Sequence, residues 1–249
     1  VENSHDKSIE NQISDLQKNI QIIFSENNGY GSAINLARTY VATKYFFVLN
    51  PDMQKIDDNL INVFCESAKE LNDNFGALGP RFENVNEKSH KQSNINEKYG
   101  QIESISGSAM FFYSEIFDKN EGFDENFFLY FEETDYCYRS NKNNYKIYQV
   151  NSQRVQHDIG TSVETTSEDE ANKFKDLYAW HFIWSKFYFT KKKKGYILSL
   201  FILAPILLRT IIKMIYYKGI RKTLQEKHYQ IRLDGLLSSI KGQKSNKRP

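Results

Sequence analysis

A carboxylate that takes a proton from a hydroxyl must be sheltered enough to stay basic at neutral pH, yet reachable by substrate. In this 249-residue chain the candidate is Glu133, in the acid-rich stretch FDENFFLYFEETDYCYR at residues 123–139. On a helix opening near Glu132, Glu133 and Cys137 are four apart and share a face, and cysteine is usually buried. Glu133 therefore turns inward at the helix start, where the dipole favours its ionised form and partial burial keeps it basic. An ordinary N-terminal helix acid is the competing structural account. Asp135 and Arg139, also four apart, suit an i,i+4 ion pair with a bracing role. Asp124 and Glu125 fall in the loop before the helix.

A second candidate is Asp52 in LNPD, residues 49–52. An acid just past the carboxyl end of a buried strand lies where α/β sheets bind ligands, and its hard oxygens suit Mg²⁺ or Mn²⁺ bridging two phosphates. Asn50-Pro51-Asp52 also has the chemistry of a plain turn. His157, after a short strand, offers an imidazole to a metal, although a lone histidine is more often structural. Gly29 and Gly31 precede a helix and could turn backbone N–H groups toward a phosphate, or simply form its entry turn. Asn35 stands one turn further on.

Strands and helices must carry these groups. Residues 8–18 space Ile9, Ile13 and Leu16 for a helix, and IQIIF (20–24) and YFFVLN (45–50) predict buried strands. Helices are predicted over 32–42, from Asp57 onward and over 132–143. FGALGP (75–80), ISGSAMFFY (105–113), YKIYQV (145–150) and QRVQH (153–157) predict strands, with a polar surface loop at 83–100. The alternation of strand and helix predicts a mostly parallel α/β sheet flanked by helices.

With 40% hydrophobic residues, 18 Phe and 16 Tyr, the chain has ample material for a core, which excludes a disordered class. Two distant cysteines without metal spacing fit a reduced compartment. The net charge of +2 is split unevenly: residues 191–249 hold 15 Lys/Arg against two acids, so the rest carries 2 − 13 = −11. Residues 168–190 predict an aromatic helix. The uncharged run 195–208 is 14 residues long and contains Pro205, short of the roughly 20 a membrane span needs. It predicts an interfacial helix with Arg209, Lys213 and Lys218 directed at lipid phosphates. Its apolar character points to lipid and away from nucleic acid.

In order along the chain, VENSHD (1–6), NNGYG (27–31), LNPD (49–52), GSAM (107–110), FDENFF (123–128), EETDYCYR (132–139) and HDIGTS (157–162) resemble the motifs of family 2 glycosyltransferases. The rhamnosyltransferase-like branch of bacterial surface polysaccharide synthesis is the most similar, over roughly residues 1–165. The resemblance implies a GT-A (Rossmann-like) domain over 1–165 and a helical, basic, membrane-associating region over 166–249. It implies Glu133 as catalytic base, where the family carries Asp, and Asp52 with His157 at a divalent metal. Glu2 (Asp in the family), Asn3, Asn28, Asn35, Asp52 and Gly107 would line the donor pocket, with Met110, Asp124 and Glu132 toward the acceptor.

The implied partners are a dTDP- or UDP-sugar and a lipid-linked saccharide at the cytoplasmic face of the inner membrane, with the aromatic rings around the acids as sugar-stacking walls. Family members carry a strand–helix unit before the first motif, so the chain is expected to lack its first unit. Two other readings stay open. One is a sugar nucleotidyltransferase, whose glycine-rich basic N-terminal signature is absent here. The other is a non-catalytic, degenerate membrane-associated fragment.

Overall fold

Apolar runs become strands and amphipathic runs become the helices that cover them. The computed structural model describes residues 1–4, 20–84, 91–157, 167–245 and 247–248. The helix expected at 8–18 lies outside these. Among the described residues six strands are present: β1 (Tyr45–Leu49), β2 (Met53–Gln54), β3 (Phe75–Phe82), β4 (Tyr99–Ile102), β5 (Ala109–Tyr113) and β6 (Lys146–His157). Seven helices accompany them among the described residues: α1 (Tyr30–Arg38), α2 (Leu60–Glu70), α3 (Ser114–Lys119), α4 (Glu132–Lys142), α5 (Glu168–Lys194), α6 (Tyr196–Gly219) and α7 (Thr223–Ile240). The chain divides into two compact units. One comprises residues 1–25, 33–124 and 133–164, the other residues 26–32, 125–132 and 165–249.

The first unit holds one sheet in the order β1-β5-β3-β6-β2, with β4 on β6. It is an α/β sheet, as expected, but it is mixed. β3 and β6 pair in parallel, whereas β5 runs antiparallel to both β1 and β3, and β2 and β4 run antiparallel to β6. β1, β3 and β6 therefore share one direction, and β5 separates β1 from β3. The expectation of a mostly parallel sheet assumed that strands joined by helices become neighbours.

Two predicted strands at 145–150 and 153–157 are one strand, β6, carrying a register shift against β3 after Pro80. IQIIF instead contributes a single parallel bridge, Glu2 to Phe24, and its side chains stay half-buried or exposed. The predicted loop at 83–100 ends in β4, whose Gly100 and Gln101 pair with Gln149 and Tyr148.

Phe64, Phe75, Leu78, Phe111, Val150 and Val155 form the core between the sheet and α2. Each such burial contributes about 1.5–3 kcal/mol. On the other side, Phe112, Phe117, Phe123 and Tyr136 meet at ring distances of 5.0–6.0 Å, and the buried Tyr136 hydroxyl donates to the Gly76 carbonyl at 3.0 Å.

The second unit is built on α5, α6 and α7. Ile183, Phe187, Leu203 and Leu236 form one core, and Phe127, Trp180 and Trp184 form another. Pro205 lies inside the apolar helix, and α6 runs unbroken for 24 residues. Its length and composition would suffice to cross a membrane. Proline removes one backbone donor, and the helix tolerates that loss at this point.

Candidate functional site

Strand pairing brings Asp52 and His157 together. β1 ends at Leu49, the Asn50 N–H donates to the Ser108 carbonyl at 2.9 Å, and the chain turns through Pro51 and Asp52 into β2. Met53 then pairs with His157 at the end of β6. His157 Nε2 lies 3.1 Å from Asp52 Oδ1, and both side chains are largely buried, at 14% and 4% exposure. The Asp52 Oδ1 atom has no hydrogen bond, so the contact is close without the alignment of a donated N–H. Asn84 fixes the histidine backbone, accepting from the His157 N–H and donating to its carbonyl, each at 3.0 Å. Sequence reasoning missed Asn84, which lies in a polar stretch with no pattern to mark it.

A carboxylate oxygen and an imidazole nitrogen this close can touch one cation. The unbonded, buried oxygen is the feature that fits such a use. Among the described residues no group of three or more His, Cys, Asp or Glu gathers around an ion site. A cation here would complete its shell with water or substrate oxygens, as Mg²⁺ commonly does. The same turn brings in Gly107, half-buried beside Ser108, whose carbonyl accepts from Asn50. LNPD and GSAM thus meet where the sheet's co-directional strands β1 and β6 end. Met110 is different. It is fully buried opposite Val48 in the β1–β5 ladder, a core residue instead of an acceptor-side surface.

Glu133 stands at the second position of α4 and is half-buried. Burial pushes its carboxyl above the usual carboxylate range. Hydrogen bonds from the local backbone and from the Thr134 hydroxyl, at 3.1 Å, pull it partly back. Cys137, four residues on, is completely buried, and the same effect pushes its thiol up to about 12. Asp135, also fully buried, accepts from Arg139 Nε at 2.8 Å. The arginine further donates to the carbonyls of Asn120 and Gly122, tying the helix to the loop before it. Glu132 is buried at 4% exposure.

The aromatics around these acids are mostly anchors. Phe123, Phe127, Phe128 and Tyr136 are all at or below 5% exposure, so they cannot form the expected walls. Phe123 and Tyr136 pack within the first unit and Phe127 and Phe128 within the second, while in the loop Asp124 is half-buried and Glu125 exposed. Asn35 serves the same loop: its amide donates to the Phe123 carbonyl at 2.9 Å and accepts from the Phe123 N–H at 3.0 Å. The residue expected to line the donor pocket thus holds the loop backbone through both ends of its amide.

Gly29, at φ +107°, packs so closely on the Phe128 backbone that a Cβ would lie 2.4 Å from its carbonyl oxygen. The Tyr30 N–H donates to that oxygen at 3.0 Å, so Gly29 makes the helix-entry turn, with Gly31 already inside α1. Asn28 is exposed in the same turn. Glu2 exchanges backbone hydrogen bonds with the strand-like segment, its N–H to Ile23 and its carbonyl from Ser25, and Asn3 beside it is half-buried. Tyr130 and Phe131, just before α4, have φ of +68° and +72°. Sequence gives no sign of this, since aromatic residues rarely adopt it.

No family model matches the chain, and no curated protein matches its sequence. Solved structures do. GalNAc-T7, crystallised with UDP, GalNAc and Mn²⁺, superposes with a TM-score of 0.53 at 11% identity, over 76% of this chain and 41% of that one. The mannosyltransferase PcManGT from Pyrobaculum calidifontis, in complex with GDP-Man and Mn²⁺, gives 0.53 at 12% identity, over 94% of this chain and 73% of that one. S. aureus TarS 1–349 gives 0.49 at 14% identity, over 95% and 78%. The chain thus spans well under half of GalNAc-T7 and about three quarters of the other two. The fold is that of the GT-A glycosyltransferases.

Proposed function

We propose that this chain is an inverting glycosyltransferase of the family 2 type, moving a sugar from a nucleotide-diphosphate donor to an acceptor hydroxyl. The observation that carries the reading is the buried Asp52–His157 pair at 3.1 Å, at the carboxyl ends of co-directional strands in a GT-A fold. Ligands of open α/β sheets bind at that edge.

Asp52 and His157 would hold a divalent cation, Mg²⁺ or Mn²⁺, and the Mn²⁺ bound by two structural neighbours supports this. Such an ion supplies positive charge against a leaving diphosphate. Glu133 takes the proton from the acceptor hydroxyl as that oxygen bonds to the anomeric carbon. The bond to the diphosphate breaks on the opposite face, and its electron pair leaves with the diphosphate. The raised affinity of Glu133 for a proton, caused by burial, suits a general base. The Asn35 and Arg139 contacts hold the loop carrying Asp124 in place, so the acceptor meets a fixed surface.

The donor in this reading is a UDP- or dTDP-sugar and the acceptor a lipid-linked saccharide of bacterial surface polysaccharide synthesis. Residues 1–165 carry the transfer and residues 166–249 hold the enzyme at the cytoplasmic face of the inner membrane. Its support is the motif order, together with the basic, apolar character of residues 191–219.

The test pairs two variants, read by calorimetry with UDP or dTDP and by sugar transfer. Glu133→Gln should lower transfer by about 10²–10⁴-fold while metal-dependent nucleotide binding persists. Asp52→Asn should weaken that binding by about 10²-fold. Unchanged turnover in Glu133→Gln would overturn the assignment.

A further inference from the structure

We infer that α6 is a monotopic membrane-docking helix, lying in the plane of an anionic lipid surface with one apolar stripe in the lipid. Ile197, Phe201, Leu208, Ile212, Ile215 and Tyr216 are 57–72% exposed. At about 100° per residue these positions lie within roughly 60° of a single line along the helix. Ala204, Pro205 and Gly219 fall in the same sector, so no charge enters the stripe.

The opposite face of α6 is already used. Ser199, Leu203 and Thr210 are buried there, and Leu200, Ile206 and Leu207 join the core formed with Ile183, Phe187 and Leu236. Contacts close both ends: the Tyr196 hydroxyl donates to the Ile240 carbonyl at 3.3 Å, and the Tyr217 and Tyr229 rings stack at 5.6 Å. Burial on one side and exposed hydrocarbon on the other is the pattern of a helix seated at an interface.

Charge complementarity selects the occupant. Arg209 borders one edge of the stripe and Lys218 the other, both exposed, and α6 contains no acid; the Lys213 ammonium instead lies over the Tyr217 and Tyr229 rings. Lys191–Lys194 end α5 just before the α6 start, and Arg221 and Lys222 follow its end. Cations bordering an apolar strip meet lipid phosphates when the strip sinks to the acyl boundary.

Seating in the plane also follows from the neighbours of α6. Its inner face is covered by α5 and α7, and α7 exposes Lys227 and Gln230 and carries Glu226, Arg232 and Asp234. Driving α6 across a bilayer would bring these charges into hydrocarbon, which is costly. An in-plane helix leaves them in water.

The seating rests on the part of the proposed function that holds residues 166–249 at the membrane, and not on the transfer reaction. Binding is read without turnover, so its failure leaves the transfer assignment standing. The full chain is sedimented with vesicles of phosphatidylcholine alone and of phosphatidylcholine mixed with phosphatidylglycerol. Strong binding to the mixed vesicles is expected. Phe201→Ser with Ile212→Ser should weaken it about tenfold or more on both compositions. Replacing Arg209 and Lys218 by Gln should weaken binding to the mixed vesicles about tenfold or more and leave the neutral ones little changed.

Thermal melts identify variants that merely misfold, and a second pair of surface substitutions, Ile197→Ser with Ile215→Ser, then repeats the test. For topology, Lys194→Cys and Gly219→Cys are labelled with an impermeant maleimide in sealed membrane vesicles of either orientation. Both should react from the same side. Labelling from opposite sides would overturn the in-plane seating. Absence of binding to either vesicle, or a dimer that Phe201→Ser dissociates, would overturn lipid as the occupant.

Discussion

Glu133 sits where the proposed chemistry and stability pull in opposite directions. Its carboxyl is raised by burial, with the Thr134 hydroxyl and the helix N–H groups offsetting part of the effect. The unfolded chain releases this proton near the ordinary glutamate value of about 4.3, whereas the folded protein holds it to higher pH. As pH rises through that window the unfolded state binds fewer protons than the folded one, so stability falls. Glu133→Gln should therefore melt at higher temperature than the native protein at pH 8. The gap should narrow as pH falls toward 4, where Glu133 is neutral in both states. Thermal melts across pH 4–8 measure it. A residue kept only as a helix cap would lower the melting temperature on replacement. Asp135 shows the contrast, being fully buried yet bonded to Arg139, as an i,i+4 brace would be.

Elements place these residues by close approach, and among the described glycines Gly29 sets the tightest one against backbone. It enters α1 at φ +107° with the Phe128 carbonyl where a Cβ would sit. Gly29→Ala should destabilise the protein by about 1–3 kcal/mol from backbone strain alone, with a steric cost added. Gly195→Ala, at φ +84° with nothing within 4 Å of its Cβ, carries the strain without the clash and should cost less. Denaturant midpoints of the two variants separate these contributions. Elements of this kind were only partly legible in the sequence. β1, β3 and β5 announced themselves as apolar runs, and Asp135 with Arg139 as a spacing. The insertion of β5 between β1 and β3 did not, because strand order depends on contacts distant in sequence. Nor did the burial of Phe127 and Phe128, since an aromatic run reads alike as a wall or an anchor. The full 24-residue length of α6 around Pro205 was hidden for a related reason. Proline signals a lost hydrogen bond, whereas packing along the inner face decides whether the helix survives it.

At the scale of the whole chain, a body of net −11 is joined to a tail of +13, and that tail is secured in part by its own last residues. His181, fully buried on α5, donates from Nε2 to the Lys247 carbonyl at 3.0 Å, since a carbonyl can only accept. Its Nδ1 then accepts from the Ser245 hydroxyl at 2.9 Å. The Trp184 ring N–H donates to the Gln243 carbonyl at 3.1 Å, and the Arg248 guanidinium lies 4.2 Å from the centre of the Phe128 ring. The C-terminal segment is thus strapped over α5 by a neutral imidazole. Burial pushes His181 down to about 4, and the nearby charges of Arg248 and Lys247 act in the same direction. The unfolded chain takes up this proton near pH 6.5 and the folded one only near 4, so stability rises with pH across that window. Lowering the pH from 7 to 5 should therefore lower the melting temperature. His181→Gln, which cannot titrate, should flatten that dependence while costing stability at pH 7, where the native strap is intact. Melts of the two proteins at pH 7 and pH 5 decide it. An equal drop in both would assign the acid sensitivity to other groups and leave His181 a packing residue.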